Sequence, residues 1–92
     1  MKSTELSILS LLFKKGRDAA SNKGKDYPHV ITYLYDSEDI IKELELSEHD
    51  FQDALDGLNK MECIEIKGRG IKLSPEGFMY CLDNHIGKKI GF

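Results

Sequence analysis

The chain has 92 residues, 40% hydrophobic and 32% charged, the make-up of one small folded domain rather than of a disordered chain. No apolar run approaches the roughly 20 residues that a membrane helix needs, and two cysteines are too few for a disulfide scaffold. The formal net charge of −3 conceals a split: residues 36–65 hold eleven acids and two bases, a balance of −9, and the other 62 residues carry +6.

The first helix is predicted to begin at Ser3 or Thr4, either of which can accept from a free N–H of the first turn. Leu6, Leu9, Leu12 and Phe13 recur at helical spacing and should face the core. The apolar run from Leu6 to Phe13 follows Lys2, but Glu5 precedes it and Lys14-Lys15 follow it with no small-residue cleavage site, so it reads as a helix face rather than a signal peptide. Gly16 is the expected C-terminal stop. Residues 17–28 read as a polar, basic loop carrying Arg17, Lys23 and Lys25. Residues 29–35 are β-branched and aromatic, either a short strand or one helical turn, with an extended end expected around Leu34 and Tyr35.

Ser37 is the expected cap of a short second helix whose apolar side is Ile40, Ile41 and Leu44 and which ends near Leu46. Ser47 then caps a third helix, with Asp50 three residues on, and Phe51, Ala54, Leu55, Leu58 and Met61 form its inner face. So little chain joins these two helices that they must cross steeply, as a helix-turn-helix. From Cys63 the period changes to two. Ile64 and Ile66 alternate with Glu65 and Lys67, Gly68-Arg69-Gly70 follows, and Ile71-Lys72-Leu73 alternates again, which is a β-hairpin. Ser74 caps a last helix with Pro75 at its first position, and Phe78, Met79, Leu82 and Ile86 supply its apolar face. The tail 87–92 is expected to fray unless Ile90 and Phe92 dock on a partner. The expected fold class is α+β, mainly α.

Helix, short strand, helix, steep turn, helix, hairpin, helix is the order of a winged helix-turn-helix: a three-helix core, a two-stranded wing and a C-terminal helix. The stretch SEDIIKELELSEHDFQDALDGLNKMECIEIKGRGIKLSPEGFMYCL, with its closing Leu73-Ser74-Pro75-Glu76-Gly77, resembles MarR- and PadR-like transcriptional regulators over residues 34–82. In that family the last motif has Thr where this chain has Ser74. The resemblance implies a single winged-helix domain over residues 1–92, duplex DNA as partner, a homodimer reading two half-sites, and a recognition helix over Ser47–Lys60 lying in the major groove.

One feature departs from that pattern. The exposed positions of the third helix are expected to be Glu48, His49, Asp50, Gln52, Asp53, Asp56, Gly57, Asn59 and Lys60, four acids against one base. DNA affinity comes largely from cations that displace counterions from phosphate. Gln52 and Asn59 can pair with adenine, but four carboxylates repel the backbone. Lys60 is the one cationic candidate on that helix; the other bases lie elsewhere: Lys67, Arg69 and Lys72 on the hairpin, Lys14, Lys15, Arg17, Lys23 and Lys25 after the first helix, and Lys88 and Lys89 in the tail. Arg69, at the tip of a Gly-x-Gly wing, is the foremost candidate, placed to enter a minor groove. The first expectation is a DNA-binding regulator that uses the wing and the basic loop. The alternative is a protein-interaction module whose acidic 36–65 surface docks a basic partner.

Other chemistry finds little support. No Ser-His-Asp arrangement or phosphate-binding glycine loop is present, so the chain is not expected to be an enzyme. Cys81 and His85 stand four apart, and with Cys63 and His49 would make a conceivable zinc set. Without a close cysteine pair, buried thiols in a reducing, cytoplasmic setting are the plainer reading, and no metal or other cofactor is expected. Tyr27, Tyr33 and Tyr35 could stack on single strands, although Tyr35 should pack under the second helix.

Overall fold

A computed structural model describes residues 1–22 and 34–84. Its first helix, α1 (Ser3–Asn22), buries Ile8, Leu9, Leu12 and Phe13, each at most 2% exposed. It touches each of the other helices and the last strand. The helix does not stop at Gly16. Glycine inside a helix costs only about 1 kcal/mol relative to alanine, and Gly16 is buried, where the helix continues against the core. The loop expected over 17–28 is therefore helical as far as Asn22, and the rest of it, with Lys23 and Lys25, lies outside the described residues.

The core also holds a carboxylate. Glu5 is 5% exposed, and its Oε1 accepts from the Lys2 N–H at 2.9 Å. Room for it comes from Gly57 on the third helix, where an added Cβ would lie 1.9 Å from Glu5 Oε2.

The chain re-enters the described part at Leu34 and forms β1 (Tyr35–Asp36), the extended segment expected there. The second helix, α2 (Ser37–Leu44), is capped one residue earlier than expected: Asp36 Oδ1 accepts from the Glu38 N–H at 2.8 Å. Ser37 is the first helical residue, and its hydroxyl is engaged elsewhere. The helix ends at Leu44 rather than near Leu46, because Glu45 turns left-handed at φ 53° and the Leu46 N–H donates back to Ile41 O at 3.1 Å. Ser47 then caps α3 (Glu48–Lys60) as expected, its Oγ accepting from the Asp50 N–H at 3.1 Å. Phe51, Ala54, Leu55 and Leu58 are buried. Met61, expected beside them, is 43% exposed, since the helix ends at Lys60 and the chain turns away at Met61.

The hairpin is present as β2 (Ile64–Lys67) and β3 (Gly70–Leu73), joined by Gly68-Arg69. Gly68 has φ 61°, the conformation that a type II′ hairpin turn assigns to glycine. β1 adds to the far side of β3, with Tyr35 opposite Ile71 and Asp36 opposite Gly70, which makes an antiparallel sheet of order β1-β3-β2. Ile64, Ile71 and Leu73 are buried, whereas Ile66, on the same face as Ile64 and opposite the buried Ile71, is 45% exposed on the outer strand of the sheet.

Ser74 caps α4 (Pro75–Asp83), accepting from the Gly77 N–H at 3.0 Å while its hydroxyl donates to Glu62 O. Gly77 lies so close to the entry of β2 that a Cβ there would sit 1.9 Å from the Cys63 carbonyl oxygen. This contact sets the inner face of α4 as Gly77 and Cys81, with Phe78 stacking on Phe13 at 5.6 Å between ring centroids. Met79 and Leu82, expected to face inward, are consequently 51% and 40% exposed, and Ile86 lies outside the described residues. The described part is thus a mainly helical α+β fold of four helices and a three-stranded antiparallel sheet. Among the described residues no helix is long and apolar enough to cross a membrane.

Candidate nucleic-acid interface

The cap at Ser47 and the buried stripe from Phe51 to Leu58 orient α3 so that its other side meets solvent. Glu48, His49, Asp50, Gln52, Asp53, Asp56, Asn59 and Lys60 are all exposed, as the helical spacing requires, whereas Gly57, expected with them, is half-buried against Glu5. Of its four carboxylates, Asp53 meets Lys2 at 3.6 Å. This pair is well exposed, so it does little to screen the surface. Gln52 and Asn59 lie within this acidic surface, and Lys60 stands at its C-terminal end.

The hairpin carries the opposite sign. Alternation along the strands puts Glu65, Lys67 and Lys72 on the face away from the core, with Lys72 directly opposite Glu65. Lys67 is exposed and Lys72 half-buried. Among the described residues no carboxylate forms an ion pair with Lys60, Lys67 or Lys72.

Arg69 is placed differently from what its position at the turn suggests. Its Nη2 lies 2.6 Å from Glu38 Oε1 and 3.6 Å from Asp36 Oδ1. Its carbonyl oxygen accepts from both the backbone N–H and the hydroxyl of Ser37, at 2.9 and 2.8 Å. The turn is therefore tied to the start of α2, and two carboxylates offset the guanidinium. Sequence reasoning missed this clamp because its members stand more than 30 positions apart and meet only once β1 joins the sheet. The pairing of Gly70 with Asp36 is what brings them together.

The two thiols are free and buried, so no Cys63–Cys81 bridge is present. Burial pushes the Cys81 thiol up to about 12, with Cys63 contributing, and burial also raises Cys63, helped by Glu76 and Glu5. Both are held as neutral, poorly nucleophilic thiols. Among the described residues no group of three or more His, Cys, Asp or Glu side chains is arranged to hold a metal, and His85 lies outside them. Tyr35 is half-buried against the core beside Ile40; Tyr27 and Tyr33 lie outside the described residues.

Comparison of the chain with protein-family models, with curated proteins and with solved structures finds no match.

Proposed function

We propose that the chain is a winged-helix domain that binds duplex DNA, led by its hairpin rather than by the helix that follows the steep turn. The element order α1-β1-α2-α3-β2-β3-α4 and the strand order β1-β3-β2 support the winged-helix reading. The three-residue link between α2 and α3 supports the helix-turn-helix within it. The observation that carries the choice of DNA is a set of three cations, Lys60, Lys67 and Lys72, none of which forms an ion pair with a carboxylate among the described residues. Cations in this state attract phosphate without first breaking an ion pair. Phosphate contacts set position and orientation, and Gln52 or Asn59 would read bases only if α3 approaches the groove.

The acidic face of α3 favours a second reading, a docking module for a basic protein segment, because Glu48, Asp50 and Asp56 are exposed there without a cationic partner among the described residues. A double variant, Lys67→Ala with Lys72→Ala, separates the two. If the hairpin holds phosphates, the slope of log affinity for a duplex against log salt becomes shallower by about two. A slope that stays the same removes the hairpin from the interface and leaves the acidic face as the working surface.

A further inference from the structure

We propose that the outer edge of β2 pairs with the same edge of a second copy of this chain, across a two-fold axis that passes beside Ile66. β2 is the last strand of the sheet, so one of its sides has no partner strand among the described residues. Its hydrogen-bonding pattern follows from the hairpin. Lys67 and Gly70 flank the two-residue turn and Glu65 faces Lys72, so these residues direct their backbone groups toward β3. The Ser74 N–H bonded to Cys63 O at 3.1 Å keeps the same alternation. The N–H and C=O groups of Ile64 and Ile66 therefore point away from the sheet, and Ile66 adds a side chain that is 45% exposed.

Charge selects the second copy as the occupant. Two identical edges related by a two-fold axis pair antiparallel. With Ile66 opposite Ile66 of the second copy, the two residues exchange backbone hydrogen bonds and their side chains meet on one face. On the other face Glu65 lies opposite Lys67 of the second copy, and Lys67 opposite its Glu65. These positions fall at the closely spaced, non-hydrogen-bonded pairs of the ladder, where cross-strand side chains interact most strongly. Shifting the register by one residue either way sets Glu65 against Glu65 or Lys67 against Lys67. The four-residue strand is therefore self-complementary in one register only, without reference to whether the domain binds DNA. A contact this short buries far less than the roughly 1,200 Å² of a stable interface, so the dimer is weak and forms at high concentration.

Sedimentation equilibrium of the full chain, from about 20 μM to about 2 mM, tests it in the range expected of so small an interface. The unaltered protein should show a concentration-dependent monomer–dimer equilibrium. Lys67→Glu or Glu65→Lys alone replaces two attractive pairs with two repulsive ones and should weaken association about ten-fold or more. The double exchange Glu65→Lys with Lys67→Glu restores both pairs and should return association to within about two-fold of the original. Both substituted side chains are exposed, and far-UV circular dichroism checks that each of the three variants is folded. A protein that stays monomeric throughout overturns the proposal. So does a dimer indifferent to the single exchanges, or a double exchange that fails to restore it.

Discussion

The outward face of α3 and the outward face of the β2–β3 hairpin belong to consecutive elements of one fold, yet they carry opposite charge. Each is held by the same kind of support. A serine caps a helix at both places, Ser47 at the start of α3 and Ser74 at the start of the helix that follows the hairpin, and a buried apolar stripe fixes the inner side. What differs is only the polar residues that the frame presents: four carboxylates with Lys60 on one side, Lys67 and Lys72 with Glu65 on the other. Core packing thus decides where a surface points, and says nothing about its sign. An acidic helix face repels DNA whatever fold carries it, and the partner is set by whichever surface has the stronger field.

The largest expected effect comes from breaking the frame that the two surfaces share. Gly77→Ala drives a methyl group into the Cys63 carbonyl, backbone against backbone, where no side chain can swing aside. Urea denaturation should show a loss of about 3 kcal/mol or more. A loss below about 0.5 kcal/mol would mean that α4 and the entry of β2 are not in the contact described, since that is the size of an ordinary surface change.

A smaller effect separates the surfaces. Replacing Asp50, Asp53 and Asp56 together by Asn keeps their shape and removes three negative charges. At about 10 Å from phosphate in water each repulsion is worth about 0.4 kcal/mol, so duplex affinity at low salt should rise about ten-fold. If α3 instead docks a basic protein segment, the same variant loses that partner and gains nothing on DNA. Fluorescence anisotropy with a labelled duplex reads the difference.

The smallest effect concerns Arg69. Because Glu38 and Asp36 already offset its charge, Arg69→Ala should make the salt slope shallower by less than the shift of about 0.9 expected for Lys67→Ala. Glu38→Gln, which loosens the clamp, should make the slope steeper. Equal shifts for Arg69→Ala and Lys67→Ala would show that the ion pairs open freely on binding, as exposed pairs worth under about 1 kcal/mol can.

Much of the frame was legible in the sequence because its signals are local. The Ser47–Asp50 spacing, the Ser74-Pro75 start and the two alternating runs around Gly68-Arg69-Gly70 each need only a few adjacent residues, and each stands in the structure as the pattern implies. The misplacements have physical causes. Gly16 can end a helix, but one glycine does not overcome the packing on either side of it. Asp36 and Ser37 can both cap, and the choice fell to Asp36 because Ser37 bonds to Arg69 O across the sheet. Met61, Ile66, Met79 and Leu82 fit an apolar pattern, yet periodicity cannot tell how far the neighbouring helices extend over a face. In the candidate interface, the exposure of α3 and its acidity followed from spacing alone. The tethering of Arg69 did not, because it depends on long-range strand pairing. Lys23 and Lys25 lie outside the described residues and add nothing to the comparison of the two faces.

The central claim is that the cations of the hairpin outweigh the carboxylates of α3 and bring the domain to DNA. Titrating a labelled random-sequence duplex of about 30 base pairs with the protein, at about 50 mM and about 200 mM salt, tests it most directly. The account predicts micromolar binding at the lower salt that weakens steeply at the higher. No binding at the lower salt would contradict it and assign the working surface to the acidic face of α3.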